Sequence, residues 1–268
     1  MFKKTAIVAG IGLALSATAQ ADYQWELGAG YAMGEISADV KSKDFSDKSS
    51  DDLDVDKFNV NATYYLNSVD TSKGPLSEAA FLDHASSLTV VFTDGEVDLD
   101  SLDDRLDDED GQSYGVAARY VAEGPKWDLS GWLVDLAYER SEPGDAEIDA
   151  YSIGIGKYIT DRTTLIVNYA NVDVGSGGDT DGYTLNLEHM WTSFKLDASY
   201  GYVNVKDADD IDHYNLGGTY YLNNNLGFGA SYSNIDNNGY EVQGFSVFSE
   251  WFINEQFAVS ASYSQEEP

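Results

Sequence analysis

The sequence predicts an all-β protein, a single antiparallel transmembrane β-barrel of about 12 to 14 strands. Three observations carry this. Between Tyr114 and Phe252 one unit recurs, a run of about ten residues alternating apolar with small or polar ones, as a two-faced strand does. In Tyr183 to Trp191, for example, Tyr183, Leu185, Leu187 and Trp191 make one face and Thr184, Asn186 and Glu188 the other. Aromatic residues sit near both ends of the apolar face and aliphatic ones in its middle, the arrangement that membrane interfaces select. The connections alternate short and long; Trp191, Leu222 and Ile253 close successive units 31 residues apart, so the repeating object is a hairpin.

Residues 1–21 read as a secretory signal peptide outside the fold. Lys3 and Lys4 precede an apolar run from Ile7 to Ala14, and Ala19-Gln20-Ala21 is a small-x-small cleavage pattern, so the mature chain is expected to start at Asp22. No later segment approaches the roughly 20 uninterrupted apolar residues of a helical span. The chain has no cysteine, which removes disulfides and a lipidated N-terminal cysteine. Residues 22–268 show no linker-like composition shift and read as one domain.

Strands are expected, in order, at 23–38, 52–66, 87–93, 112–123, 128–140, 148–159, 164–174, 183–191, 194–205, 213–222, 226–235, 242–252 and 256–264, thirteen in all. The first alternates through Tyr23, Trp25, Leu27, Ala29 and Tyr31, and the last through Phe257, Val259, Ala261 and Tyr263. Between these, Tyr151, Ile153 and Ile155 oppose Ser152, Gly154 and Gly156, and Tyr214, Leu216 and Tyr220 oppose Asn215, Gly217 and Thr219. Pro75, Pro125 and Pro143 fall in expected connections, because a fully paired strand cannot spare a donor. Tight turns are expected at 124–126, 160–163, 192–193, 223–225 and 254–255, with long polar loops at the other end.

The formal net charge of the chain is −32, and loss of Lys3 and Lys4 would make it −34. That argues against nucleic acid and bare anionic membrane as partners. Acids concentrate between the expected strands, in Asp39 to Asp56, Ser141 to Glu147 and Lys206 to Asp212, and most densely in Asp94 to Asp110, where ten carboxylates meet one cation, Arg105.

Alternation alone also fits a soluble β-sandwich with Tyr183, Leu185 and Leu187 in its core. The girdled aromatics, the regular strand length that spans an apolar band of about 25 Å, and the Gly/Ser/Asn/Thr character of the second face favour the barrel. Turned apolar-inward, a barrel of this many strands would be too wide for side chains to fill.

Lys73-Gly74-Pro75-Leu76 followed by Glu78-Ala79-Ala80-Phe81-Leu82, leading into Leu88, Val90 and Phe92, resembles the segment after the second strand in the gammaproteobacterial outer-membrane family called "putative porins". The endings Tyr64-Tyr65-Leu66-Asn67, Tyr220-Tyr221-Leu222-Asn223 and Trp251-Phe252-Ile253-Asn254 are similar to that family too. The pattern covers most of the chain from Asp22 onward. The resemblance implies an outer-membrane channel and transfers no catalytic residue. Such barrels close with a strand ending in an aromatic residue that the barrel-assembly machinery reads, whereas this chain ends Gln265-Glu266-Glu267-Pro268. With thirteen strands the first and last would run in the same direction, so a parallel or incomplete seam, or a closing strand supplied by a longer chain, is expected.

Parity places Lys57, Arg119, Asp135, Glu139, Glu188, Lys195, Asp197 and Glu250 on the lumen face, since charge is costly against lipid. There they would line the pore and set its field, or form ion pairs that brace the wall. Leu99, Leu102 and Leu106 have helical spacing in the acidic loop, which could dock as a constriction or stay solvated. The loop lacks the twelve-residue calcium pattern, and Gly177 to Gly182 reads as a hairpin loop, so no metal site is expected. His213 lies beside Asp210 and Asp212, where an Asp–His pair could activate water; His189 reads as girdle and His84 as structural. No second acidic pair or positioned serine accompanies them, so neither a catalytic group nor a cofactor is expected.

The function expected is passive diffusion of small hydrophilic solutes, cations preferred, across the outer membrane of a Gram-negative cell. The alternative is a structural or adhesive barrel whose acidic loops bind divalent cations and lipopolysaccharide. Outer-membrane lipid and lipopolysaccharide are partners in both readings, and association into a homo-oligomer is left open.

Overall fold

The computed structural model describes residues 4–16, 22–39, 50–97, 109–124, 130–144, 146–175, 178–205, 210–237 and 240–267. Fourteen strands form one closed barrel. They are β1 (Lys4–Ser16), β2 (Asp22–Asp39), β3 (Ser50–Asp70), β4 (Ser87–Val97), β5 (Glu109–Val121), β6 (Trp132–Pro143), β7 (Ile148–Thr160), β8 (Thr163–Asp173), β9 (Asp179–Met190), β10 (Phe194–Val205), β11 (Ile211–Asn223), β12 (Leu226–Asn237), β13 (Tyr240–Asn254) and β14 (Phe257–Glu267). Each strand pairs antiparallel with its chain neighbours, and β1 with β14 closes the ring. All thirteen segments expected from Asp22 onward are strands.

The apolar face points outward. Ile155 is 54 % exposed, whereas its neighbours Gly154 and Gly156 are buried. Leu27, Val90, Leu136, Val167, Leu185 and Leu216 are exposed on the same outer face, which leaves no soluble-protein core for a sandwich. Closure lets every strand exchange backbone hydrogen bonds with two neighbours, the condition for a sheet to stand in hydrocarbon.

Two expectations are corrected. A parallel or incomplete seam was expected beside the first strand; in the full-length chain Lys4–Ser16 pairs antiparallel with both β14 and β2. The physical reason is direction. β2 and β14 both run from the short-turn end to the loop end, so their facing edges cannot form an antiparallel ladder, and one strand running the other way satisfies both rows of backbone groups. The acidic stretches are likewise not confined to loops. Asp54, Asp56, Asp94, Glu96 and Asp110 belong to β3, β4 and β5, and Pro143 ends β6, because the ladders continue past the outer row of tyrosines. The leucine-bearing part of the acidic loop, 98–108, lies outside the described residues, as does the turn at 125–129.

The connection from β3 to β4 departs from a tight turn and enters the barrel at the short-turn end. Asp70 caps a 3-10 turn, Thr71–Lys73, by accepting from the Ser72 N–H at 2.9 Å. Pro75 precedes a second, Leu76–Glu78, and Ala79–Leu82 makes one turn of helix, α1, from residues with high helix propensity. His84, at φ 55°, breaks the helix and turns the chain back toward β4.

Candidate functional site: the lumen and its narrowing

Register places the inner face of each strand without ambiguity, because residues opposite one another in a ladder share a face. Lys57, Arg119, Asp135, Glu139, Glu188, Lys195, Asp197 and Glu250 all lie on the inner face. Lys57 and Glu139 line one recess at the loop end, together with Thr93, Ser113 and Ser141. The other six lie deeper. Arg119 grips Asp135 through two parallel bonds, Nε to Oδ1 and Nη2 to Oδ2, both 2.8 Å, a geometry in which guanidinium and carboxylate satisfy each other. Glu188 accepts from the Thr164 hydroxyl at 3.4 Å.

Around Lys195 the inward segment is fastened to the wall. Its Nζ lies 3.2 Å from Glu78 Oε2 and 3.2 Å from Asp197 Oδ1. Glu78 Oε1 accepts the Tyr221 hydroxyl at 2.6 Å. Backbone bonds add to this: the Leu76 N–H donates to the Asn224 carbonyl at 2.9 Å, and the Tyr158 hydroxyl to the Phe81 carbonyl at 3.0 Å. The His84 ring stacks on Tyr158 at 3.8 Å, and its Nε2–H donates to the Asp161 carbonyl at 3.0 Å. Within the segment Asp83 pairs with Lys73 and accepts the Asp70 N–H.

Apolar contact does the rest. Phe81 packs against Val121, Leu133, Tyr158 and Ile166 on one side, and reaches the cluster of Leu82, Met190 and Tyr221 on the other. Ala79 joins Tyr65 and Val69 in a third cluster. Leu133, Met190 and Val69 are 1 %, 0 % and 0 % exposed on a face that at mid-barrel is small and polar, as at Ser152, Gly154 and Asn168. The helix therefore fills the β5–β11 side of the lumen at its short-turn end.

The opposite side is not filled. A cavity of about 170 Å³ remains between the segment and the wall, lined by Tyr23, Glu26, Tyr65, Ser77, Glu250 and Gln256 among others. Glu26 accepts the Tyr65 hydroxyl at 2.9 Å. Among the described residues no lysine, arginine or histidine lines this cavity. Glu26 and the inward segment were not singled out from sequence. The signal for the segment was present: Val121, Leu133, Ile166 and Met190 are apolar residues at inward parity near short turns, and water alone gives no reason for them.

The sequence-level Asp–His pair does not form. His213 is on the inner face, its ring lying across Gly201, where an added Cβ would stand 2.0 Å from the ring. Asp212 and Asp210 are engaged by the Tyr200 and Tyr202 hydroxyls on the outer face, each at 2.6 Å. His189 is outward, bonded to the Thr163 hydroxyl at 2.7 Å and edge-on to Trp191. Among the described residues no group of three or more His, Asp or Glu is placed to hold a metal ion.

A family model described as "Putative general bacterial porin" matches residues 12–196. No curated protein matches in sequence. Among solved structures, the Acinetobacter baumannii outer membrane protein Omp33 superposes with a TM-score of 0.57 at 19 % identity, over 92 % of this chain and 97 % of that one. The KdgM porin, solved in complex with a disordered oligogalacturonate, aligns at 7 % identity with a TM-score of 0.44, over 80 % and 92 % of the two chains.

Proposed function

Since the chain belongs to the bacterial porin family whose description is "Putative general bacterial porin", and is thus an outer-membrane channel of β-barrel fold, we propose that it passes small hydrophilic solutes by passive diffusion and prefers cations. The observation that carries the preference is the acid-lined cavity beside the segment, which we read as the passage. Solutes that clear the wide part of the lumen meet Phe81 and the ion-paired wall on one side and a gap bounded by Glu26 and Glu250 on the other. In a narrow, partly desolvated passage two carboxylates favour a cation and oppose an anion. Arg119 and Lys195 on the inner face and Lys73 in the segment are each engaged with carboxylates, so their fields are largely cancelled, while Arg162 donates to the Lys73 and Trp191 carbonyls on the β8–β9 side, away from the cavity. Lys57 stands at the loop end and raises a barrier to cations there. Residues 1–21 act in this proposal as the export signal, and Lys57, Arg119, Asp135, Glu139, Glu188, Lys195, Asp197 and Glu250 as the groups that shape the pore's field.

The test is the reversal potential of single channels in a planar bilayer under a KCl gradient. The cation-selective sign is expected, reduced in Glu26→Gln/Glu250→Gln and weakened at high salt as screening shortens the field. An anion-selective sign, or no change in the double variant, would sink the preference.

A second reading, a barrel that anchors lipopolysaccharide through divalent cations, draws support from the outer wall. There the hydroxyls of Tyr31, Tyr114, Tyr138 and Tyr169 donate to Asp56, Glu142, Asp149 and Asp181. Those carboxylates would lie level with lipid phosphates. Lipopolysaccharide release on chelation by EDTA, greater with the protein than without it, would favour this reading.

A further inference from the structure

At the loop end the wall reverses its polarity. Below the tyrosines the outer face is aliphatic and the inner face small or polar; above them the outer face carries Asp149, Asp173, Asp179, Asp181, Asp212 and Asp236, a composition excluded from hydrocarbon. This part of the barrel therefore stands clear of the membrane core. Its inner face, which should be polar if it only enclosed water, instead presents Val172, Val203, Val205, Ile211, Ile235 and Val242.

These six form one sector rather than scattered points. Val203 stands opposite Ile211, Ile235 opposite Val242, and Val172 and Val205 flank Thr180 from either side. Ile235 is 44 % exposed, so neighbouring strands do not bury it. The inward segment offers no cover, because it is fastened at the short-turn end to Tyr158, Lys195 and Tyr221. An apolar surface that no described residue covers, inside a water-filled mouth, marks a place where an apolar body is bound.

We propose that this sector is a binding site for amphipathic organic cations, hydrocarbon bodies that carry a positively charged ammonium group. The apolar sector accepts the hydrocarbon, and the charge pattern selects the head. Six carboxylates stand one strand layer behind the sector, on the outer face of the same β7–β13 wall. The basic side chains toward this end among the described residues are Lys57, on β3 outside the sector, Arg140, which is bonded to Asp149, and His213, which faces inward beside Ile235 with its ring across Gly201. An anion of the same shape would meet a field in which Asp173, Asp179, Asp181, Asp212 and Asp236 outnumber Arg140 and His213. The inference rests on the pore reading only in taking this mouth to be open to solutes; it adds a solute class that a purely hydrophilic pore would not distinguish.

The experiment uses the full chain in planar bilayers, with n-alkyltrimethylammonium ions from butyl to octyl added at either side. Added at the loop side, their half-blocking concentration should fall by roughly twofold per methylene, about half the step expected for complete burial. Val203→Asn/Ile211→Asn should flatten that dependence, while block by tetramethylammonium, which has no hydrocarbon tail, stays unchanged. Val203→Thr/Ile211→Thr, closer in shape, provides the same reading if the asparagine pair fails to fold. Equal block at every chain length, an unaltered slope in the variants, or equal block by hexanoate would overturn the proposal. Saturation-transfer NMR of hexyltrimethylammonium with the protein in lipid nanodiscs reads the contact without any current. Signal on the alkyl protons, lost in the variant, supports the site even if the channel is silent, an outcome that refutes the pore reading alone. No signal above empty nanodiscs overturns the site.

Discussion

Glu78 joins the inward segment to the wall, and its titration gives that junction a sign. Burial holds its carboxyl above the ordinary carboxylate range, with Lys195 opposing the shift. A carboxyl raised in the docked segment stabilises docking most fully below its undocked value, and the contribution is lost as pH rises through the docked value. Acidification from neutral toward the ordinary carboxylate value, about pH 4.3, should therefore tighten docking and lower single-channel conductance. Glu78→Gln should remove that step; a wild-type conductance that is flat or rises with acid would contradict the assignment. Lys195→Met leaves Glu78 and Asp197 without their shared cation, weakening docking by about 3–5 kcal/mol and raising mean conductance at pH 7. The inward direction of Lys195 and Glu188 was legible because a strand has period two. Their relation to Glu78 was not, because pairing across more than a hundred residues depends on barrel closure and on where the β3–β4 connection goes.

Strands were the legible elements. The alternation of Tyr151, Ile153 and Ile155 against Ser152, Gly154 and Gly156 left one register for β7, since a slip by one residue would turn the glycines to lipid. Gly156 has a further role: a Cβ there would stand 2.7 Å from the Leu165 carbonyl oxygen and from Ile166 Cγ1. Because a ladder carbonyl cannot retreat, Gly156→Ala should cost about 1–3 kcal/mol and lower the temperature at which the unboiled band converts to the boiled one on detergent gels. The strand ends were less legible. Asp94 and Glu96 look like loop because acids are rare in strands, yet they extend β4 beyond the bilayer, where water solvates the outer face. The Lys73–Leu82 segment was recognisable as a motif, but its inward path was hidden because helical turns this short have no amphipathic period to read. Replacing residues 71–84 by a two-residue Asn-Gly turn should raise conductance severalfold while heat-dependent migration is kept; an unchanged conductance would mean that the narrowing lies elsewhere.

For the whole molecule, closure depends on direction as much as on number. Without Lys4–Ser16 the remaining thirteen strands of this sequence present the edges of β2 and β14 to each other, both pointing to the loop end. Each unpaired backbone group facing lipid costs several kcal/mol. Expressed from Asp22 to Pro268 alone, the polypeptide should convert to the slow-migrating form at a markedly lower temperature than the sequence from Met1. Equal conversion temperatures would show that β2 and β14 can meet by another pairing.

Because β3 and β4 hold both ends of the β3–β4 connection, its block of the lumen is an intramolecular event. Its strength is set by an effective concentration rather than by how much protein is present, and for so short a tether that concentration is on the order of millimolar. Dilution or washing cannot remove such a blocker. Evolution can still retune it one contact at a time, since each bond from Glu78, Phe81 or His84 multiplies the occupancy of a single tethered equilibrium. The membrane thus carries a pore whose leak is adjustable by point mutation without any change to the barrel that spans it.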